Sequence, residues 1–176
     1  MKIIVGGNGF LALECTKWLI EQKENIVGIF SENRGNSWGV KFNQKAKKIA
    51  KELSVPLLDG NLNYYKDIIN ELNPDIIFPL RCKNIITKDI LTIPPKGCIH
   101  IHYGDLPKYA GGAPILHAIF AGEKYIYPTM QYMAAKVDSG DIISKIRVDI
   151  SEGVRLVELP GGKVVNIRGL TSYEAY

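Results

Sequence analysis

A chain of 176 residues, 46% of them hydrophobic, carries enough apolar mass for one hydrophobic core, so a single globular unit is expected. Its net charge of +4, from 22 Lys and Arg against 18 Asp and Glu, is too mild to argue for nucleic-acid binding. Mean hydropathy is −0.01, no apolar run approaches the ~20 residues that span a membrane, and Met1-Lys2-Ile3-Ile4-Val5 reads as a buried strand rather than a secretory signal, which predicts a cytoplasmic chain with no membrane partner.

The first expected strand covers residues 2–6, followed by Gly6-Gly7-Asn8-Gly9 and a helix over about 9–22, where Leu11, Cys15, Trp18 and Leu19 recur at helical spacing. A strand, a glycine turn and a helix N-terminus make a ready anion site, although Leu11 and the missing third glycine leave the dinucleotide fingerprint incomplete. Asn25–Phe30 is a second strand. The loop Ser31–Gly39 carries Arg34 and Trp38, which suit either a grip on a planar anion or, for Trp38, packing on the core. A helix over Val40–Leu53 places Lys41, Lys45, Lys47, Lys48 and Lys51 on an outer, solvated face. Val55–Leu57 is a short strand, Tyr64–Leu72 a helix stopped by Asn73-Pro74, and Asp75–Phe78 a fully apolar strand. A short helix over 85–91 and the stiff connector Ile93-Pro94-Pro95-Lys96-Gly97 follow. Strands alternating with helices at these lengths predict right-handed βαβ units, hence an α/β, Rossmann-like, three-layer and mostly parallel sheet with ligands at the carboxyl ends of its strands. Cys15, Cys82 and Cys98 have no CxxC spacing and read as reduced, packed thiols.

The stretch from Gly97 to Asp141 concentrates the chemistry. A strand over Cys98–Ile101 turns His100 and His102 to one side, and a Gly-, Pro- and Tyr-rich loop 103–112 follows. Next come a helix over about Ala113–Ala121 carrying His117, an alternating run Ile126–Met133, and the turn Asp138-Ser139-Gly140-Asp141. Taken alone, the two histidines suit structural roles, acid–base work or a metal pair. A metal would need Cys98, His117 or Asp138 as third ligand, no familiar spacing supports one, and none is expected. His117, among Ile115, Leu116, Ala118 and Ile119, reads as a packing or capping residue. Ile142–Ile150 continues as a strand. Val154–Leu159 and Lys163–Arg168 around Pro160-Gly161-Gly162 predict a short C-terminal β-hairpin, whose edge favours a homodimer.

His100-Ile101-His102, the loop Gly104-Asp105-Leu106-Pro107-Lys108-Tyr109-Ala110-Gly111-Gly112-Ala113-Pro114-Ile115 and the turn Asp138-Ser139-Gly140 resemble the catalytic segment of the formyltetrahydrofolate-dependent formyltransferases. That family's pattern is an Asn-x-His strand end, a loop near SLLPKYRGAAPI and an Asp-x-Gly turn. Here His100 stands at the Asn position, and Ala110 where the family often has Arg. The resemblance covers roughly residues 1–150 and implies a formyltransferase catalytic domain there, with 151–176 as a hairpin extension rather than a separate domain. It implies transfer of a formyl group from 10-formyltetrahydrofolate to an amine, with His102 as acid/base, Asp138 orienting it and His100 as substitute oxyanion donor. By position, Leu80, Arg81, Cys82, Lys136, Gly140 and Asp141 are expected to hold the folate. Gly7, Asn8, Gly9, Lys108 and Tyr109 are expected on the acceptor side, with Gly7-Asn8-Gly9 resembling the phosphate-binding turn of the glycinamide-ribonucleotide enzymes. The expected acceptor is a small-molecule amine, foremost the amino group of a nucleotide-linked amino sugar. The tRNA enzymes carry a separate C-terminal domain for which 176 residues leave no room. Two rival readings are a formyltetrahydrofolate hydrolase and a catalytically silent folate- or nucleotide-binding protein.

Overall fold

Runs of apolar residues without polar alternation build a parallel sheet covered on both faces. In the computed structural model, which describes residues 1–32 and 37–151 and the backbone of two later strands, β1 (Lys2–Gly7) buries every residue after Lys2. It pairs in parallel with β2 (Asn25–Ser31) on one side and β4 (Ile76–Leu80) on the other, and β2 pairs with β3 (Leu57–Asp59), giving the order β3-β2-β1-β4. The backbone at Gly97 and Cys98 bridges Ile77 and leads into β5 (Ile99–His102). Ile4, Phe30, Leu58 and Ile77 form one core with Leu62, Ile69, Ile86, Ile90 and Cys98. Strand alternation turns Ile3, Val5 and Ile29 to the other face, where α1 (Gly9–Glu21) contacts β1 and α2 (Ser37–Leu53) contacts β2. Burial pushes the Cys98 thiol up to about 12. Burial, helped by Glu14, pushes that of Cys15 to about 11, as packed thiols should be.

The helices differ from their sequence-based bounds for local reasons. α2 begins at Ser37, three residues early, and keeps Phe42, Asn43, Ala46 and Ala50 inside while Lys41, Lys45, Lys47, Lys48 and Lys51 are exposed, as expected of a solvated face. The expected strand at Val55–Leu57 starts two residues later because Ser54, at φ 55°, and the Val55 N–H bonded to Ala50 O are used to end α2. The helix expected over Tyr64–Leu72 is a 3-10 turn (Leu62–Tyr65) followed by α3 (Lys66–Leu72). Asn73 ends it in the left-handed region, with its N–H on the Ile69 and Asn70 carbonyls. Of the helix expected over 85–91, α4 (Lys88–Leu91) forms; Asn63 bonds Ile85 O and the Thr87 N–H in front of it.

The chain clusters into two compact units, Met1–Ile101 with Tyr132–Asp141 and His102–Gln131 with Ile142–Tyr176. In the second, α5 (Pro114–Phe120), β6 (Tyr125–Ile126), β7 (Thr129–Tyr132), β8 (Ile142–Lys145) and β9 (Val148–Asp149) enclose a small core of Ala118, Ile126 and Val148. Each of the two long strands expected here is broken: β6 pairs with β9 and β7 with β8, because Pro128 has no N–H to continue a ladder and its carbonyl takes the Ile146 N–H instead. β10 (Leu156–Leu159) and β11 (Lys163–Asn166) pair antiparallel as the expected hairpin; Pro160-Gly161-Gly162 and the outer residues Val154, Arg155, Ile167 and Arg168 lie outside the described residues. So does Arg34, and the Trp38 side chain with it, leaving the proposed anion grip outside the description. Among the described residues no helix is long and apolar enough to cross a membrane.

Candidate active site

The carboxyl ends of β1, β2 and β4 meet at the glycine turn. A Cβ on Gly6 would stand 1.8 Å from Phe30 O and one on Gly7 1.7 Å from Leu80 O, both at positive φ, so only glycine lets the neighbouring strands close on β1. Asn8 caps α1 in an extended conformation, is 6% exposed, and donates its N–H to Leu80 O at 3.1 Å. A Cβ on Gly9 would stand 2.8 Å from Nη1 of Arg81, so that guanidinium lies against the first turn of α1. The expected acceptor turn Gly7-Asn8-Gly9 and the expected folate residues Leu80 and Arg81 are thus adjacent. The sequence placed Arg81 by position alone and attached nothing to its side chain; the structure sets its positive charge on the glycine turn. Arg81 itself is at φ 58°, which bends the chain sharply after β4, and Cys82 follows half-buried.

A residue absent from the sequence-based set holds that bend. Glu32, 4% exposed, follows β2 and donates its N–H to Gly7 O at 2.9 Å. Its carboxylate accepts the N–H of Lys83 at 2.7 Å, that of Asn84 at 3.0 Å and Asn84 Nδ2 at 2.6 Å. No short-range pattern could have found it, because its partners are 51 and 52 residues away.

β5 presents His100 and His102 on one face, as alternate strand residues must. His100 Nδ1 lies 3.3 Å from Pro79 O; a carbonyl only accepts, so this nitrogen carries the proton and the neutral ring keeps its lone pair on Nε2. Asp138 offers a carboxylate oxygen within 4.8 Å of a ring nitrogen of His100. Asp138 is held at φ 52°, in a turn closed by Tyr132 N–H on Asp141 O and by Ser139 Oγ donating to Lys136 O at 2.8 Å. Gly140 packs on that turn: a Cβ there would stand 1.8 Å from Tyr132 O. The side chains of Lys136 and Asp141 are exposed, and Met133 N–H on Cys98 O ties the turn to the strand before His100.

In the second unit, His102 is 6% exposed and its Nε2 donates to Tyr109 O at 2.6 Å, leaving the lone pair of the neutral ring on Nδ1. Gly104 runs beside this ring, where a Cβ would come within 3.0 Å of Nε2 and 2.5 Å of the Pro114 side chain. Lys108 and Tyr109 share Glu123: Lys108 Nζ pairs with its carboxylate, Tyr109 OH donates to the same oxygen at 2.8 Å, and Lys108 also lies over the Tyr109 ring. The hydrogen bond from Lys108, then that from Tyr109, holds the Glu123 carboxyl below its ordinary range. His117, expected to pack or cap, is exposed on α5.

A parallel sheet with a glycine turn at its carboxyl end defines a Rossmann-like α/β domain. The chain belongs to the formyl transferase family, whose model matches residues 2–160, ten residues beyond the stretch over which the sequence resembles it. It is 34% identical to the methionyl-tRNA formyltransferase of Clostridioides difficile (strain 630) over 99% of this chain and 58% of that protein. The chain spans about half the length of the curated relatives it matches. Among solved structures, the phosphoribosylglycinamide formyltransferase from Bacillus halodurans superposes with a TM-score of 0.68 at 18% identity, covering 86% of this chain and 81% of that one. A sugar 3N-formyl transferase solved in the presence of dTDP and 5-N-formyl-THF superposes at 0.61 and 20% identity, covering 85% and 52%. At such identities the likeness is one of fold.

Proposed function

We propose that this chain transfers the formyl group of 10-formyltetrahydrofolate to a primary amine, within a catalytic domain of residues 1–150. The observation that carries the reading is the pair of imidazoles on β5, each with one ring nitrogen on a backbone carbonyl, in a chain matched by the formyl transferase family. The donor set fits the chemistry: acyl transfer needs a group that exchanges protons near neutrality, a carboxylate to orient it and a donor for the oxyanion. Bound folate supplies the activated one-carbon unit. His102 is the acid/base, taking a proton from the attacking amine and returning it to the departing folate nitrogen. Tyr109 O accepts from its Nε2, and the Asp138 charge favours the imidazolium. His100 stands in for the family's Asn. Because its Nδ1–H is committed to Pro79 O, its Nε2 donates to an oxyanion only when the ring is protonated.

Leu80, Arg81, Cys82, Lys136, Gly140 and Asp141 are proposed to hold the folate, and Gly7, Asn8, Gly9, Lys108 and Tyr109 the acceptor. The turn Gly7-Asn8-Gly9 at the N-terminus of α1 supports an acceptor bearing phosphate. A nucleotide-linked amino sugar meets that requirement and is the acceptor the sequence favours. The 34% identity to a methionyl-tRNA formyltransferase favours aminoacyl-tRNA as the second reading. The deciding experiment measures tetrahydrofolate release from 10-formyltetrahydrofolate with nucleotide amino sugars, methionyl-tRNA, glycinamide ribonucleotide or water alone. Turnover with one amine names the acceptor. Formate release with water alone makes the protein a hydrolase, and donor binding without turnover in any arm makes it a silent binding protein.

A further inference from the structure

We infer that Glu32 is a positioning residue for the formyl donor, fixing the backbone of the loop after β4. The inference rests on the donor-binding reading of Leu80, Arg81 and Cys82. Four observations carry it. The Glu32 carboxylate is buried, and a buried carboxylate is tolerated only when its oxygens are satisfied. It accepts from one segment through two successive backbone N–H groups, Lys83 and Asn84, and the Asn84 side chain. That segment needs holding, since Arg81 occupies the left-handed region, which a side chain other than glycine keeps only where its surroundings impose it. Finally, Glu32 is itself fixed on the opposite side, its N–H on Gly7 O and its strand packed between β1 and β3.

Geometry therefore divides the residue in two. Its backbone belongs to the glycine turn, and no substitution of its side chain removes the bond to Gly7 O. Its carboxylate belongs to the loop, and the two backbone N–H groups fall on different oxygens, Lys83 on Oε2 and Asn84 on Oε1. Glu32→Gln keeps the length and volume but presents an NH2 group to one of those donors, leaving a buried N–H facing N–H. A loop released in this way no longer presents Leu80–Cys82 at one fixed position. Donor binding then suffers while the glycine turn, built by Gly6, Gly7 and Asn8, keeps its shape.

The test titrates 5-formyltetrahydrofolate, a stable analogue of the donor, calorimetrically into the wild-type chain, Glu32→Gln and Asn84→Ala. Melting temperature and circular dichroism confirm that each variant is folded. In parallel, KM is measured separately for 10-formyltetrahydrofolate and for whichever amine supports turnover. Expected are a tenfold or larger rise in donor Kd and donor KM for Glu32→Gln, with acceptor KM moving less than threefold. A smaller change of the same sign is expected for Asn84→Ala, which removes only the bond from the Asn84 side chain. Amide exchange at Lys83 and Asn84 should accelerate at least tenfold in Glu32→Gln. Equal losses for donor and acceptor, or a fall in kcat alone, would reduce Glu32 to general support of the fold and overturn the inference. Wild-type binding of the analogue matched by Glu32→Gln overturns it while leaving the donor site standing. A folded wild-type chain that binds no analogue removes the donor reading itself, and the inference with it.

Discussion

The bend after β4 and the loop 103–112 both carry residues assigned to ligands, and they are secured in opposite ways. In the first unit, Glu32 is almost fully buried and accepts two successive backbone N–H groups. In the second, Glu123 holds Lys108 and Tyr109 at the surface through side chains alone, with Lys108 more than half exposed. A buried, charge-assisted anchor to backbone fixes position at all salt concentrations. An exposed pair is screened and trades little stability for freedom to rearrange. The contrast suits a constant donor held rigidly and a variable acceptor met by an adaptable loop.

The strongest way to break this picture is to disturb the packing on which the first unit rests. Gly7→Ala would place a Cβ 1.7 Å from Leu80 O at φ 135°. A loss of about 4 kcal/mol or more in denaturant unfolding is expected, a large share of the ~5–15 kcal/mol by which a domain is ordinarily stable. A variant within 1 kcal/mol of the wild type would mean that the strand ends are not closed as described.

The next largest effect falls on chemistry. His102→Ala should lower formyl transfer by about 10²- to 10⁴-fold, with donor binding retained, if His102 is the acid/base. A loss below tenfold would hand that role to another group. His100→Asn sharpens the comparison from the other side of β5. Asn donates a hydrogen bond at any pH, whereas His100, with Nδ1 on Pro79 O, has a second donor only as the imidazolium. The substitution should raise kcat roughly tenfold above neutral pH, since one oxyanion donor is worth up to 10²- to 10³-fold. The pH dependence of kcat should change with it. An unchanged profile would take His100 out of the reaction.

These residues were visible in the sequence to unequal degrees. β1, its glycine turn, β5 and the hairpin strands were legible because each is a local pattern: an apolar run, a Gly cluster, a two-residue alternation. The breaks at Tyr127-Pro128 and before β9 were not, since alternation continues through them and only the ladder reveals that Pro128 offers no N–H. The late start of β3 depended on where α2 found its last hydrogen bonds. Among the residues proposed for the site, His100, His102 and Asp138 stand out by residue type and motif. Arg81 was placed by position but not by what its guanidinium touches, and Glu32 not at all. Both act through partners far along the chain, which composition and spacing do not encode.

The smallest effect discriminates most finely between the two anchors. The hydrogen bond from Lys108, and then that from Tyr109, depress the Glu123 carboxyl in the folded chain, so the unfolded value is the higher one. Glu123 therefore contributes fully above the ordinary glutamate pKa of about 4.3, and its contribution fades as pH falls through the lower folded value. Lys108 is exposed and Glu123 partly so, and the melting temperature should barely respond, with Glu123→Gln close to the wild type. What should respond is the loop: acid in that window should lower the amide protection factors across 105–112 while those of β1 and β4 hold. Glu123→Gln should show the faster loop exchange already at neutral pH, together with a few-fold rise in acceptor KM and no change in donor KM. Loop and sheet loosening together at one pH would mean that the two anchors belong to a single cooperative structure, and the proposed division between a rigid donor side and an adaptable acceptor side would fall.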